Sequence, residues 1–467
     1  MTNLSDLESH ASDLTAAVKT LVSQCQNLTT SNSHPLIPPD APSEAHRARQ
    51  SILSTISRLQ TLLSTPADFL HHLAVQNQLL ACLQWLGEFQ VLACIPLTGS
   101  VPIKDVADLA GVPESHLSRM VRMTATAGFL QEPQPGQVAH SALSAPFVTK
   151  PSYLDAVMFL AGTVAPAALQ MPAATQRFGP SLRPNETAYN LAFNNPATLA
   201  STCEQQPKLQ RQWPAFLRYG TINTEDRVTD LLSRLDHFRR GNISIVEVSA
   251  RSIDRANTLA TLYPSVRLVV QIAVPPTNPN TTTWSSSSSI HPPTPITKDG
   301  PRTLAQSSIT NTSASASKSA VPSLSPNITI QHRPPGTPQP ITDATLYILH
   351  LPSALPTQPS TTLASRIALE LRSHLDILRS NPSATLILTP RLLPDPGAVN
   401  ADIEASARLR DLVLFQLANE RELEMGDLLN VLNSVSDSLG RLVVVNKIRS
   451  REDCGVVFEV RWQGFNR

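Results

Sequence analysis

Glycine is scarce in this chain: 16 residues in 467, where average usage of about 7% would supply roughly twice as many. No two glycines lie closer than eight residues apart (Gly128 and Gly136). A G-x-G-x-x-G fingerprint and a Walker loop are thereby excluded, because both need clustered glycines to let the backbone approach phosphates closely. An excess of one charge is missing too: 37 Lys and Arg against 36 Asp and Glu give a formal net charge of +1. That balance leaves no electrostatic footprint for nucleic acid or an anionic membrane. The five cysteines, Cys25, Cys82, Cys94, Cys203 and Cys454, are scattered and form no C-x-x-C. A thioredoxin-like motif and paired-cysteine zinc frameworks are both absent, so no metal-ligating residue is expected. There is no H-E-x-x-H and no G-x-S-x-G, and His71 and His72 sit in an apolar helical stretch as ordinary core or surface histidines. The opening MTNLSDLESHASDL has neither the basic nor the apolar region of a signal peptide. No uninterrupted apolar run approaches the roughly 20 residues of a membrane helix, so the expectation is a soluble, intracellular protein without membrane contact.

What is present starts with proline, 40 residues where about 5% usage would give little more than half as many. Hydrophobic residues make up 41%, enough for a sizeable core, and the length allows two or three domains. Residues 1–30 carry helical spacing (Leu4, Leu7, Ala11, Leu14, Val18, Leu21), followed by a break at Asn32–Pro42 and a second helical stretch from Glu44 to Leu63. Pro66–Leu92 is the most apolar helical segment. Its apolar residues cover more than one stripe, which marks deep core or, preferentially, a subunit interface. From Val101 to Val148 the order is helix (Ile103–Ala110), stop at Gly111, helix (Glu114–Ala127), stop at Gly128, then two short strands around PQPGQ. That is a winged-helix pattern. Its second helix offers Ser115, His116, Arg119 and Arg122, thin cationic cover for a phosphate backbone. A structural or dimerising module is therefore favoured over direct sequence-specific DNA binding.

Residues 151–235 read as irregular helical connector. Ile243–Val248, a helix at Asp254–Tyr263 and Val266–Ile272 then form a β-α-β unit, the opening of a doubly wound sheet. In residues 275–340, 37 of 66 positions are Ser, Thr or Pro. Such a segment buries too little apolar area to offset its ordering entropy and reads as a disordered insertion. The sheet resumes with Ala344–Leu349, a helix at Thr362–Leu378, a strand at Ala384–Leu388, helices at Ile403–Ala418 and Met425–Val435, and closing strands at Leu442–Val445 and Val456–Val460. The fold class is thus α/β. A helical dimerisation region (1–95), a winged-helix domain (96–150) and a helical connector (151–235) precede a Rossmann-like domain (236–467) interrupted by the insertion.

That order of parts resembles the small-molecule O-methyltransferases, with DVADLAGVPESHLSRMVRMTATAGFL similar to their winged helix and ARLRDLVLFQLANERELEMGDLLNVL to their late helical region. NQLLACLQWLGEFQVLACIPL, followed by that winged helix, resembles one fungal group more closely: the methyltransferase-like co-activators encoded in aflatoxin-type polyketide gene clusters. The resemblance spans nearly the whole chain outside the insertion and is strongest over residues 70–165.

Measured against the enzymes, four parts are altered. Their first strand ends in a V-D-V-G-G-G-x-G loop that holds the methyl donor; here it is Val246, Glu247, Val248, Ser249, Ala250, Arg251, Ser252, Ile253. Glu247 keeps an acid, expected at a strand end in contact with solvent or a helix cap, while every glycine is replaced by a residue whose Cβ should block positive φ. The ribose-binding acid is replaced by Ile272. The H-D-W stretch that carries their histidine base falls at Ala354, Leu355 and Pro356, with alanine in the histidine's place, and the acid that orients the base falls at Pro390. Alanine cannot deprotonate a phenol; only a shifted alignment would bring His350 into that role. No catalytic or cofactor-binding residue and no cofactor are therefore expected. The resemblance implies a non-catalytic transcriptional co-activator, partnering a binuclear zinc-cluster transcription factor as a homodimer in the nucleus, with the cytoplasm also open to it. The alternative is an active S-adenosylmethionine-dependent O-methyltransferase acting on a phenolic polyketide. A third reading is a scaffold that holds an enzyme or intermediate in the cleft. FRR at 238–240 and Arg47–Arg49 are too short for nuclear-localisation signals.

Overall fold

The computed structural model describes residues 3–25, 37, 41–221, 231–232, 235, 243–250, 253–273, 327–354, 363–449 and 455–465. Helices Asn3–Cys25 and Ser43–Leu63 lie against each other around Cys25, Ala41 and Ala45. The second of them rests on the start of helix Ala401–Ala418, where Ser57 Oγ donates to Asp402 Oδ1 at 3.0 Å and Arg58 Nη2 to Asn400 Oδ1 at 3.2 Å. The apolar segment begins at Pro66 because Thr65 forms a capping box with Asp68 and proline suits the first helical turn. This helix, Pro66–Glu88, divides its apolar residues in two. Cys82 and Leu86 are buried, whereas Phe69, Leu70 and Leu73 remain 60%, 66% and 51% exposed. Gly87 lets helix Ser152–Phe159 come close: a Cβ there would meet Met158 Sδ at 2.5 Å.

Helices Ile103–Ala110 and Glu114–Thr126 follow as expected, the first ended by Gly111 in the left-handed region (φ 67°), where a Cβ is disfavoured. Three short strands accompany them rather than the two expected: β1 (Val101–Pro102), β2 (Leu130–Gln131) and β3 (Gln137–His140), in the order β1-β3-β2. The extra strand is two residues long, too short to leave a period-two signature.

The connector contains one stretch, Ser152–Leu169, long and apolar enough by composition to cross a membrane (hydropathy 1.4). It was missed in the sequence because Asp155 and Gly162 interrupt the run. Asp155 is bound by Arg211 at 2.7 Å, and Phe159 and Val164 pack in a core with Trp213 and Phe216.

The large sheet has the order β6-β5-β4-β7-β8-β10-β9. Its strands are β4 (Ser244–Ala250), β5 (Arg267–Ala273), β6 (Ile328–Arg333), β7 (Leu346–His350), β8 (Thr385–Thr389), β9 (Gly440–Arg449) and β10 (Val456–Gly464). All pairings from β6 to β8 are parallel, and β10 runs antiparallel to β8 and β9. The chain reverses direction across the sheet between β4 and β7, so the carboxyl ends of these strands form the crevice where ligands bind in doubly wound folds. Central strands read as continuous apolar runs because both faces are covered, with Val246, Tyr347 and Leu386 in one core and Ile245, Ile348 and Ile387 in the other.

Two expectations are corrected here. The insertion does not extend to 340: residues 274–326 lie outside the described residues, but Ile328–Arg333 joins the sheet edge beside β5. The physical cause is a buried polar network that composition does not reveal. Arg333 Nη1 lies 2.5 Å from Glu370 Oε1, both side chains under 5% exposed, and Arg333 Nη2 donates to Ser373 Oγ at 2.8 Å. Gln339 and Gln271 exchange amide hydrogen bonds of 2.7 and 2.8 Å. The helix expected over 362–378 is split into Leu363–Arg372 and Leu375–Ser380. The break is occupied by His374, whose Nδ1 lies 2.9 Å from Glu370 O, and burial pushes its pKa down to about 4.

Candidate functional site

The crevice above β4, β7 and β8 is built by residues on one face of the sheet: Glu247 in the middle of β4, and His350 and Thr389 at the carboxyl ends of β7 and β8. Helix Asp254–Leu262, which follows β4, brings Arg255 over the same face. Glu247 is fully buried, which overturns the expected solvent or cap contact. Its Oε1 accepts from Arg255 Nη1 at 2.9 Å and lies 2.7 Å from His350 Nε2. That same histidine nitrogen is 2.6 Å from Arg255 Nη1, so it donates to the carboxylate or accepts from the guanidinium, depending on tautomer. On its other side, His350 Nδ1 is 2.7 Å from Thr389 Oγ1. A buried carboxylate needs such partners, since desolvation without them costs several kcal/mol. Burial pushes the Glu247 carboxyl up, but the His350 hydrogen bond and the His350 and Arg255 charges outweigh it, holding the carboxyl below its ordinary value.

Ser249, at the first glycine place of the loop, stands at φ 58°. The expectation that a side chain there would block positive φ is therefore corrected. The left-handed turn is kept, at a bulge between Val248 and Ala250, with a serine bearing the strain. Arg251 and Ser252 lie outside the described residues. Ile272, in the ribose-acid place, is half-buried beside His332 and packs with the β4–β5 core. Its neighbour Gln271 is buried and committed to Gln339.

Across the crevice, Ala354 is buried in the wall of a cavity of about 340 Å³ between helices Pro207–Tyr219 and Ala401–Ala418. Leu355 and Pro356 lie outside the described residues, and Pro390 follows β8 immediately. Trp213, Phe216 and Leu414 make the apolar wall. Arg410 and Glu422, both under 6% exposed, pair within it at 2.9 Å. No cluster of three or more His, Cys, Asp or Glu side chains that could hold a metal ion occurs among the described residues. On helix Glu114–Thr126, Ser115, His116, Arg119 and Arg122 are all exposed. The fork of Arg122 is taken up by Glu132 at 3.1 and 3.3 Å, which thins the cationic face further.

Sequence reasoning did not single out Arg255 or the Arg410–Glu422 pair. For the former a signal existed: an acid embedded in an apolar strand demands a counter-charge, and Arg255 is the arginine in the first turn of the next helix.

The fold class and the crevice define a methyltransferase-like architecture. Among solved structures, the chain is similar to OxaC in complex with SAH and oxaline (TM-score 0.57, 15% identity, covering 97% of this chain and 100% of that one). It is equally similar to the LepI complex with SAM (TM-score 0.58, 15% identity, 97% and 100% covered). At such identity the likeness concerns the fold. Residues 4–64 match the family model of the trypacidin cluster transcriptional coactivator tpcD N-terminal domain. Over its full length the chain is 70% identical to the monodictyphenone cluster transcriptional coactivator mdpA of Emericella nidulans, covering 100% of both. It is 46% identical to the agnestins biosynthesis cluster transcriptional coactivator AgnL9 of Paecilomyces divaricatus, covering 100% of this chain and 99% of the relative. The chain belongs to the family of transcriptional coactivators of secondary-metabolite gene clusters.

Proposed function

We propose that this protein is a non-catalytic coactivator that works in the nucleus with a binuclear zinc-cluster transcription factor to raise expression of a polyketide gene cluster of the aflatoxin type. The observation that carries the non-catalytic part is the Glu247–Arg255–His350 cluster. The acid of the first strand of the large sheet is spent on an internal cation and imidazole. The surroundings do not fit a methyl donor. A Cβ stands at the turn of the loop (Ser249), an apolar side chain where the ribose hydroxyls need an acceptor (Ile272), and an alanine in the place of the base (Ala354). His350, at the end of the neighbouring strand, is engaged by Glu247 and Thr389. The net charge of +1 and the Arg122–Glu132 pair favour reaching DNA through the zinc-cluster protein rather than directly.

Dimerisation belongs to the same reading. Phe69, Leu70 and Leu73 are an exposed apolar stripe on helix Pro66–Glu88, suited to a second copy of the chain. The test is a deletion strain complemented with wild type, with transcript levels of the neighbouring biosynthetic genes and co-immunoprecipitation of the zinc-cluster factor as readouts. Loss of transcripts on deletion and capture of the factor are expected. Unchanged transcripts in the deletion strain overturn the proposal.

A further inference from the structure

The cavity beside Ala354 has a composition that transcriptional coactivation does not call for. At about 340 Å³ it falls within the roughly 300–1,000 Å³ typical of small-molecule sites, at the small end. Its apolar wall is aromatic on one side, from Trp213 and Phe216, and aliphatic on the other, from Val413 and Leu414. Two guanidinium groups, Arg391 and Arg410, and one carboxylate, Glu422, are its charged lining. Arg410 is 3% exposed; its Nε donates to Glu422 Oε1, while its Nη2 is buried with no hydrogen-bond partner among the described residues. Leaving a buried charged donor unmet costs more than an ordinary hydrogen bond is worth, and an acceptor oxygen delivered by a ligand would remove that cost.

We propose that this cavity binds a planar aromatic compound bearing an acidic oxygen. The ring system lies against Trp213 and Phe216, and the oxygen faces the Arg410 side. The ring must be small: the volume admits a few fused rings without appended sugars. Binding there involves no bond making, since Ala354 supplies no base, so the site is a receptor for a compound rather than a place of reaction. The inference stands apart from the choice of transcription-factor partner, because it is read by ligand titration and not by transcripts.

The experiment titrates the purified full-length protein with hydroxynaphthoic acid, followed by calorimetry and by tryptophan fluorescence. The expected result is saturable one-to-one heat with quenching of Trp213. In Trp213→Phe the heat should persist while the quenching is mostly lost. In Ala354→Phe, which fills the cavity, the heat should disappear. The neutral naphthalene methanol should bind at least about tenfold more weakly, the worth of a charge-assisted hydrogen bond. Absence of both heat and quenching in the wild type overturns the proposal. So does binding that a folded Ala354→Phe leaves intact, quenching that survives Trp213→Phe, or equal affinity for the neutral compound. Should Ala354→Phe fail to fold, the Trp213→Phe comparison decides the location by itself.

Discussion

Replacing Glu247 by Gln tests whether the crevice is held by its own side chains. The substitution keeps the volume and removes one charge. Arg255 and His350 are then left with side chains 13% and 15% exposed and no carboxylate between them, where Glu247 itself is 1% exposed. Breaking a buried ion pair by removing one partner costs about 3–5 kcal/mol. The amide still offers an acceptor oxygen, so the lower end, about 3 kcal/mol, is expected. For a unit of roughly 150–250 residues that corresponds to a drop in Tm of about 6–12 °C. The assay is thermal unfolding followed by circular dichroism from pH 7 downward. The sign of the pH dependence is fixed by the direction of the shift. The folded carboxyl titrates below its ordinary value, so its stabilising contribution is complete above that value and is lost as pH falls through the folded pKa. Wild type and Glu247→Gln should therefore differ at pH 7, and the difference should begin to shrink only once pH falls below the ordinary carboxyl value of about 4.3. Equal Tm at pH 7, or a difference that does not shrink in acid, would refute the claim that this carboxylate is structural.

Three further outcomes follow from the same geometry. Ser249→Gly should raise stability by about 1 kcal/mol, because a left-handed residue with a Cβ is strained; an unchanged or lower Tm would show the serine to be unstrained. Arg333→Leu should destabilise by about 3–5 kcal/mol by stranding Glu370, and Arg333→Leu combined with Glu370→Leu should recover much of the loss in chemical denaturation. Leu73→Glu should convert a dimer into monomers in light scattering after size-exclusion chromatography, without loss of helix content; a dimer that persists would put the interface elsewhere.

The strands of the large sheet were legible because strands buried on both faces leave apolar runs that few other structures produce, as in ISIVEV and ATLYIL. The stops at Gly111 and Gly128 were legible for a local reason, the positive φ that ends each helix. What escaped was set by partners distant in the chain. Arg333 reads as one more residue of a proline- and threonine-rich tract until Glu370, 37 residues on, is seen to hold it. Glu247 and His350 lie 103 residues apart, and only the sheet order brings them onto one face. The composition of helix Pro66–Glu88 favours an interface, but it does not divide the helix: Leu86 is buried because it joins the core of Val91, Ile103, Leu117 and Val138, which follow it in the chain. Local chemistry reaches the elements, the altered loop and the arginine nearest Glu247; that His350 joins the pair is set by the tertiary structure.

The central proposal is that this methyltransferase-like fold serves transcriptional coactivation without taking up a methyl donor, the acid of its crevice being held by Arg255 and His350. Calorimetric titration of the purified protein with S-adenosylmethionine tests it most directly. The account predicts no heat of binding up to millimolar donor. Saturable binding at micromolar concentration would contradict it and return methyl transfer to first place.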